Sequence, residues 1–333
     1  MKSARDYVAL AERESGQIRH PVADAYIWGE ALEVLERFRP DARILNLETA
    51  VTTSEAAWPG KGIHYRMHPD NVGALRAAAP DCCVLANNHV LDWGRGGLLE
   101  TLAVLQRSGL RHAGAGRDRD DALAPACIDV AAANRVLVFA LALESSGVPP
   151  EWAAGAGRAG VAWLAEASPR AAAEVLETVG RHKRSGDVVV ASIHWGPNWG
   201  YVVPERFRTF AHALVEGGVD VVHGHSSHHP KGIEVYRERL VLYGCGDFLN
   251  DYEGIEGYRE YRPDLTLMYF PTLDAASGRL LELVLVPMRI RHLRVNRATE
   301  QEATWLQAML DREGMRFGTR FEYAAGVLRL RRG

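Results

Sequence analysis

The stretch that best defines the fold of this 333-residue sequence is Val221-Val222-His223-Gly224-His225-Ser226-Ser227-His228-His229. Two β-branched apolar residues lead directly into four imidazoles within seven positions, although the whole sequence holds only 13 histidines. A strand that ends at a glycine turn and presents several neutral imidazoles is suited to binding a transition metal. The alternative interpretation is a set of exposed turn histidines at a strand end.

Three segments upstream favour the metal site, because each places a polar side chain just after an apolar run. These are Glu48 after residues 44–47, Asn88 and His89 after residues 82–85, and His194 after residues 188–193. Each one alone is more typical of a structural turn. The carboxyl ends of the strands in an open α/β sheet line one crevice, so we expect these side chains to converge there. An Asn carbonyl can bind a divalent ion, and a neighbouring His can donate a proton to a substrate oxygen.

Composition excludes several classes of function. Hydrophobic residues make up 47% and charged residues 24% of the sequence, as is typical of a soluble globular protein. A formal net charge of −3 gives no electrostatic reason to expect binding to nucleic acid or to an anionic membrane. No run of eighteen apolar residues predicts a membrane span. The spacing of the four cysteines suggests neither a disulfide framework nor a zinc knuckle, so we expect a cytoplasmic protein.

Alternation of strand-like and helix-like segments predicts an α/β layered fold. The predicted strands lie at residues 44–47, 82–85, 135–143, 188–193 and 219–223, and the predicted helices at 4–13, 26–38, 70–79, 97–108, 169–182, 204–216 and 300–313. Strands at 240–243, 265–270 and 280–286 lack intervening helices and predict an antiparallel portion, and a last strand is expected at 327–330. Residues 153–165 are expected to form a loop. We expect one domain over residues 1–333, with a motif core at 43–250 and C-terminal strands and a helix at 260–330.

Motifs of a known family occur in order along the chain. They are Asn46-Leu47-Glu48-Thr49, Ala86-Asn87-Asn88-His89-Val90-Leu91-Asp92-Trp93-Gly94, Gly114-Ala115-Gly116, His194-Trp195-Gly196, Gly224-His225-Ser226-Ser227-His228 and Tyr243-Gly244-Cys245-Gly246-Asp247-Phe248. This series resembles the CapA-type capsule synthesis family, also called the poly-γ-glutamate synthesis family, whose members resemble calcineurin-type metallophosphoesterases. The resemblance covers roughly residues 43–250. It implies a four-layer α-β-β-α sandwich with a two-metal site at the strand ends.

The resemblance also implies roles for individual residues. Glu48 would bridge the two metals, and His89 would be the proton donor near the leaving group. The ligands of one metal would be Asn88, His194 and His225, and His228 would bind the other metal. Imidazole, carboxylate and amide ligands together favour two ions of Mn, Fe or Zn over Ca or Mg.

The sequence departs from the family pattern in two places. Family members open with an apolar strand that ends in Gly-Asp, and that Asp is a metal ligand. Nothing before Arg43 resembles this strand, so we expect it to be absent, either because the chain starts late or because the fold lacks it. The second departure is Asp247, which follows Gly244-Cys245-Gly246 where the family more often has a Ser-Leu-Gly-Asn run. Asp247 either supplies a compensating carboxylate or caps its own turn.

Candidate substrate contacts lie near these motifs. Lys61, Tyr65 and Arg66 form a cationic and aromatic cluster that could hold a phosphate or a carboxylate, and Trp195 could wall the pocket. A solvated loop and a packed Trp are the alternatives. The resulting hypothesis is a metal-dependent hydrolase of capsule or poly-γ-glutamate biosynthesis that acts on a phosphoester or related bond of a small molecule or an anionic polymer. The alternative is a catalytically weakened accessory component that binds the anionic polymer.

Overall fold

Helices and strands alternate through most of the chain, for which a computed structural model describes residues 3–130, 134–255 and 257–332. The helices of this part are α1 (Ala4–Ser15), α2 (Ala31–Phe38), α3 (Val72–Ala77), α4 (Gly94–Arg107), α5 (Arg119–Leu123), α6 (Pro169–His182), α7 (Glu205–Glu216) and α8 (Glu300–Gly314). The strands are β1 (Ile44–Asn46), β2 (Ala50–Val51), β3 (Arg66–Met67), β4 (Cys82–Val84), β5 (Arg111–Ala113), β6 (Ala115–Gly116), β7 (Ala126–Asp129), β8 (Arg135–Leu143), β9 (Gly160–Val161), β10 (Trp163–Leu164), β11 (Val188–His194), β12 (Val221–His225), β13 (Ile233–Tyr236), β14 (Arg239–Leu242), β15 (Leu265–Leu273), β16 (Leu280–Ile290), β17 (Val295–Arg297), β18 (Thr319–Ala324) and β19 (Val327–Arg332). The predicted α/β class is confirmed.

The largest sheet has the strand order β10-β8-β11-β12-β14-β13, and β7 pairs with the edge of β8. Its neighbours from β10 to β14 run parallel, whereas β13 and β7 are antiparallel to their partners. Strands covered on both faces read as continuous apolar runs, which explains the unbroken hydrophobic character of β8 and β11. Side chains of α6 and α7 belong to the hydrophobic cluster that covers one face. The carboxyl ends of β11 and β12 therefore open at the same edge.

A smaller parallel sheet, in the order β1-β4-β5, packs against the first one. The two sheets approach closely at Gly114, where an added Cβ would lie 2.6 Å from the Cβ of Ala86 and 2.7 Å from that of Ala140. Gly114 also has a φ of +89°, which an L side chain rarely adopts. In residues 3–43 the chain forms α1 and α2 and no strand, as expected from the sequence.

The C-terminal portion is an antiparallel sheet in the order β15-β16-β19-β18, with β17 on β16. The predicted antiparallel portion is thus confirmed. Helix α8 starts at a capping box, in which the Thr299 hydroxyl accepts from the Glu302 N–H and the Glu302 carboxylate accepts from the Thr299 N–H. This helix contacts both β16 and β13, so it joins the antiparallel sheet to the edge of the large one.

Two local predictions were wrong. The helix expected over 26–38 is interrupted at Gly29, whose φ of +47° ends a short 3₁₀ turn at Tyr26–Trp28 before α2 begins. The loop expected at 153–165 contains β9 and β10, because β10 adds to the edge of β8. Throughout the described residues, the helices are too short or too polar to cross a membrane.

Candidate metal centre

Two imidazoles meet at the carboxyl ends of β11 and β12. His194 ends β11, His225 ends β12, and the parallel register sets them side by side. Both rings are buried, and their Nδ1 atoms lie 2.7 Å apart. Gly224 permits this arrangement, because an added Cβ would lie 2.5 Å from the carbonyl oxygen of Leu242 and 2.7 Å from Nε1 of Trp195. The glycine of the histidine motif therefore lets the strand pass close to its neighbours.

Two further ligand atoms come from the small sheet. Asn88 follows β4 and places its Oδ1 3.2 Å from Nε2 of His194, whereas Glu48 follows β1 and places Oε1 3.7 Å from the same nitrogen. Glu48, His194 and His225 each offer one ligand atom, and these three atoms all lie within 4.8 Å of one another. The four residues predicted to surround one ion therefore lie together at the junction of the two sheets.

Asn87 connects the loops that carry Glu48 and Asn88. Its fully buried amide donates to the Asn46 side-chain oxygen at 3.0 Å and to the Leu47 carbonyl at 2.9 Å. Its own oxygen accepts from the N–H groups of His89 and Val90, each at 3.1 Å. Asn46 in turn donates to Oε2 of Glu48 at 2.7 Å. This network fixes the Glu48 carboxylate and the His89 turn relative to each other.

Burial controls the protonation of this cluster. Burial, helped by the neighbouring imidazoles, lowers the pKa of His194 and of His225 well below the usual value. Both rings are therefore neutral at pH 7 and offer lone pairs, as metal binding requires. Burial, helped by the charge of Asp247, raises the pKa of Glu48 to about 7, although His228 opposes this shift. A cation bound beside this carboxyl group would favour its ionised form and so lower its pKa.

Ser192 links His225 to a second histidine behind it. Its hydroxyl lies 3.0 Å from Nε2 of His225 and 2.9 Å from Nδ1 of His223. One hydroxyl proton can serve only one of these nitrogens. If Nδ1 of His225 binds a metal, its Nε2–H donates to Ser192, and Ser192 donates to His223. His223 and Ser192 would then hold the tautomer and the orientation of His225.

His228 has a different environment from the first two imidazoles. Its Nδ1 lies 2.9 Å and 3.1 Å from the two carboxylate oxygens of Asp247, and its Nε2 lies 3.1 Å from Nδ2 of Asn198. Burial opposes a charge on this ring, but Asp247, aided by Glu48, raises its pKa overall. Asp247 therefore contacts a residue of the candidate site. It also accepts a hydrogen bond within its own turn, from Nδ2 of Asn250 at 2.7 Å.

His89, the predicted proton donor, is oriented by Asp92. Its Nδ1 lies 2.7 Å from Oδ2 of Asp92, which is fully buried and accepts from the Tyr65 N–H at 2.6 Å. Burial lowers the pKa of His89, although Asp92 opposes this shift. A carboxylate that accepts from Nδ1–H leaves a lone pair on Nε2, so His89 must gain a proton before it can donate one. No role was predicted for Asp92 from the sequence, although it stands three positions after His89 in the same motif.

Two of the predicted substrate residues contact His89 or its partner Asp92. The Lys61 ammonium contacts the Asp92 carboxylate and the Asn88 carbonyl oxygen, so its charge is already paired within the protein. The Tyr65 ring packs on the His89 ring with centroids 4.1 Å apart, and its hydroxyl contacts that of Tyr252. These contacts place both residues beside the candidate acid.

The other two predicted substrate residues point elsewhere. Arg66 donates to the Ser54 carbonyl at 2.7 Å and lies 4.3 Å over the Trp93 ring. Trp195, expected to wall a pocket, is only 2% exposed and stacks on Phe207 at 5.0 Å. Its side chain belongs to the core because the residue after His194 points to the opposite face of the sheet.

Comparisons with known proteins agree with the motif series. The family described as bacterial capsule synthesis protein PGA_cap matches residues 7–252. A Mycobacterium tuberculosis protein named as a probable polyglutamine synthesis accessory protein is 46% identical over 321 residues, which cover 96% of this chain and 84% of that protein. The PGA biosynthesis protein CapA of Bacillus subtilis is 26% identical over 219 residues, covering 66% of this chain and 54% of its own length. The capsule biosynthesis protein CapA of Bacillus anthracis is 27% identical over 191 residues, covering 57% and 45% respectively.

Proposed function

The chain belongs to the bacterial capsule synthesis family PGA_cap, and we propose that it is a metal-dependent hydrolase that serves the synthesis of a capsule or an anionic amino-acid polymer. The names of its relatives support the biological setting. The observation that carries the hydrolase proposal is the convergence of Glu48, Asn88, His194 and His225 at one point. The two packed sheets, one parallel and one mainly parallel, with flanking helices support the finer proposal of a metallophosphoesterase-type four-layer sandwich.

The donor set fits a divalent transition metal. Two neutral imidazoles, a carboxylate and an amide oxygen suit Mn, Fe or Zn, and burial keeps both imidazoles neutral. Glu48, Asn88, His194 and His225 would hold the first ion. A second ion would take Glu48 and His228, with Asp247 as the compensating carboxylate, after His228 gives up a hydrogen bond. Such ions supply Lewis acidity and lower the pKa of bound water.

Residues of this chain would deliver a proton to the leaving group. Asp92 fixes the His89 ring through Nδ1 and leaves Nε2 facing away from that carboxylate. The lowered pKa of His89 makes its protonated form a strong donor, so a proton taken up at Nε2 on substrate binding passes readily to the leaving-group oxygen. Lys61 balances the charge of Asp92, and Tyr65 covers the ring. His89 is therefore the proposed general acid, and Asp92 is its positioning residue.

Metal content and phosphodiester hydrolysis of the purified protein test this proposal. We expect bound Mn, Fe or Zn by mass spectrometry and turnover of bis(p-nitrophenyl) phosphate. His194→Ala should lose both metal and turnover, whereas His89→Asn should keep the metal and lose turnover of esters with poor leaving groups. His68→Ala, at an exposed histidine, is the matched control. Full metal content and full turnover in His194→Ala would contradict the proposal.

A second candidate function is an accessory component that binds an anionic polymer without cleaving it. The state of His228 favours this possibility, because its Nδ1 is hydrogen-bonded to the Asp247 carboxylate, which competes with a metal ion for this ring. A protein that binds polymer and a single ion, with no hydrolysis of any phosphodiester or peptide-like substrate, would support this second function.

A further inference from the structure

Two tyrosine hydroxyls from different loops meet beside the candidate metal centre. Tyr65 lies between β2 and β3, Tyr252 lies between β14 and β15, and their hydroxyl groups contact each other. The Tyr65 ring packs on His89, and the Tyr252 ring stands edge-on to His228 with centroids 5.5 Å apart. Both tyrosines are partly exposed. This hydroxyl pair therefore connects the candidate acid to the imidazole proposed for the second ion, at a place that solvent reaches.

The backbone of Tyr65 is held by the motif that carries His89. Its N–H donates to Oδ2 of Asp92 at 2.6 Å, and its carbonyl oxygen accepts from Nε1 of Trp93 at 2.9 Å. Asp92 is also the residue that orients the His89 ring. The position of the Tyr65 hydroxyl is therefore fixed relative to the candidate acid.

The Tyr252 loop is held just as firmly on the other side. The Tyr252 N–H donates to Oδ1 of Asn250 at 3.0 Å, and Asn250 donates to Asp247, the partner of His228. The next residue, Glu253, accepts from the His292 N–H at 2.8 Å. Because both loops are ordered by contacts within the protein, a ligand of the hydroxyl pair does not have to order them.

The hydroxyl pair has one proton to spare. Each phenol carries a single proton, and apart from their mutual contact neither hydroxyl has a hydrogen bond in the described part of the chain. One proton serves that contact, and the other is free to be donated outward. Burial raises the pKa of Tyr65 to about 12 and also raises that of Tyr252, and the carboxylates of Glu48 and Asp247 add to both shifts. The pair is therefore a neutral donor within electrostatic range of the candidate ligands.

We propose that the hydroxyl pair of Tyr65 and Tyr252 donates a hydrogen bond to a nonbridging oxygen of a phosphodiester at the candidate metal centre, and so orients its leaving group toward His89. A hydrogen bond to a charged oxygen is stronger than one to a neutral acceptor. The two cations predicted to hold the substrate are engaged elsewhere, since Lys61 pairs with a carboxylate and Arg66 donates to a backbone carbonyl. The proposal rests on the proposed function for the class of substrate.

Binding of diphenylphosphinate tests the proposal without any need for turnover. This probe has the single charge and the two rings of a diaryl phosphodiester, but its phosphorus–carbon bonds are not hydrolysed. Calorimetric titration of the full-length protein, with Zn²⁺ present, measures its affinity. The double variant Tyr65→Phe with Tyr252→Phe keeps both rings and should bind the probe more than about tenfold more weakly. Each single variant should lose only about threefold, because the remaining hydroxyl can still donate.

A tyrosine far from the site provides the matched control. The Tyr236 hydroxyl donates to Glu216 at an exposed position at 2.7 Å, so Tyr236→Phe removes the same group and should leave the affinity for the probe unchanged. Thermal melting and metal content of every variant should equal those of the unmodified protein. Diphenylacetate, which presents a carboxylate in place of the phosphinate, should bind more weakly.

Kinetics separate substrate binding from mere support of His89. With bis(p-nitrophenyl) phosphate, the double variant should raise KM about tenfold and keep kcat within about threefold of the unmodified protein, as the loss of a uniform binding contact predicts. A lower kcat at unchanged KM would instead assign the tyrosines to the support of His89 and would overturn the proposal.

The binding results decide the remaining outcomes. Equal affinity for diphenylphosphinate in the double variant and the unmodified protein would overturn the proposal, and so would an unmodified protein that does not bind the probe. Binding that depends on the hydroxyls, in a protein without turnover, would support the hydroxyl pair while contradicting the proposed hydrolase. Diphenylacetate binding as tight as that of the phosphinate would overturn the assignment to a phosphodiester.

Discussion

His225 and His228 are three positions apart, yet they lie in opposite electrostatic environments. His225 ends a buried strand beside His194, and its pKa is lowered by burial. His228 lies in the following loop against Asp247, and its pKa is raised. The first ring is neutral and has only the His194 ring beside its Nδ1, whereas the second must give up a hydrogen bond to a carboxylate and, at acidic pH, a proton. The large sheet therefore fixes the position of His225, whereas the position and charge of His228 depend on Asp247 in a loop.

The largest expected effect separates these two histidines directly. His225→Ala should weaken the binding of the first metal ion by more than about 100-fold, because even the loss of a residue that only supports a ligand costs 10–100-fold. His228→Ala should weaken it by less than about tenfold. Competition with a chelating dye measures both affinities. An equal or larger loss in His228→Ala would reverse the comparison.

The next effect concerns the support of each ring. Ser192→Ala removes the hydroxyl between His225 and His223 and should weaken metal binding by about 10–100-fold without removing a ligand. Asn198→Ala makes the matching change beside His228 and should alter the affinity by less than about threefold. If both substitutions have the same effect, the two rings do not differ in the way that the structure indicates.

Glu48 should set the pH dependence of metal binding between pH 8 and pH 6. Its pKa of about 7 means that the carboxyl group is mainly protonated at pH 6 and must release that proton to bind a cation. The affinity should therefore be about tenfold weaker at pH 6 than at pH 8. His194 and His225 should add little slope in this range, because their pKa values lie well below it.

The control is Glu48→Gln, which keeps the size of the side chain and has no titratable group. Its overall affinity should be lower, and its pH slope between 8 and 6 should be absent. A slope that persists in this variant would assign the proton to another group.

The smallest effect is expected from Asp247→Asn. The substitution should lower the pKa of His228, which proton NMR titration of the ring measures. A raised pKa in the folded state stabilises the protein below the unfolded value of about 6.5, and this stabilisation is lost as the pH rises through the folded pKa. Asp247→Asn should therefore lower the free energy of unfolding by less than about 1 kcal/mol at pH 5.5, and by almost nothing at pH 9. Urea unfolding that shows an equal loss at both pH values would exclude this coupling.

Local sequence patterns predicted the strands and the convergence of the candidate ligands that follow them. The apolar runs before His194 and His225 specify buried parallel strands, and such strands bring their carboxyl ends together. Patterns could not predict which polar groups pair across loops. Lys61 is 31 residues from Asp92, and that contact exists only once the loop between them has folded. Trp195 was misplaced although alternation along the strand gives its face: if His194 faces the candidate site, the next side chain faces the opposite side of the sheet.

The four candidate ligands of the first proposed ion are divided between the two sheets that meet at Gly114. A cation held by Glu48 and Asn88 on one side and by His194 and His225 on the other would act as a cross-link between the sheets. The melting temperature of the protein would then rise with the concentration of free metal, and a chelator would lower it. By the same linkage, a substitution at Gly114 that spreads the sheets would weaken cation affinity without altering any ligand.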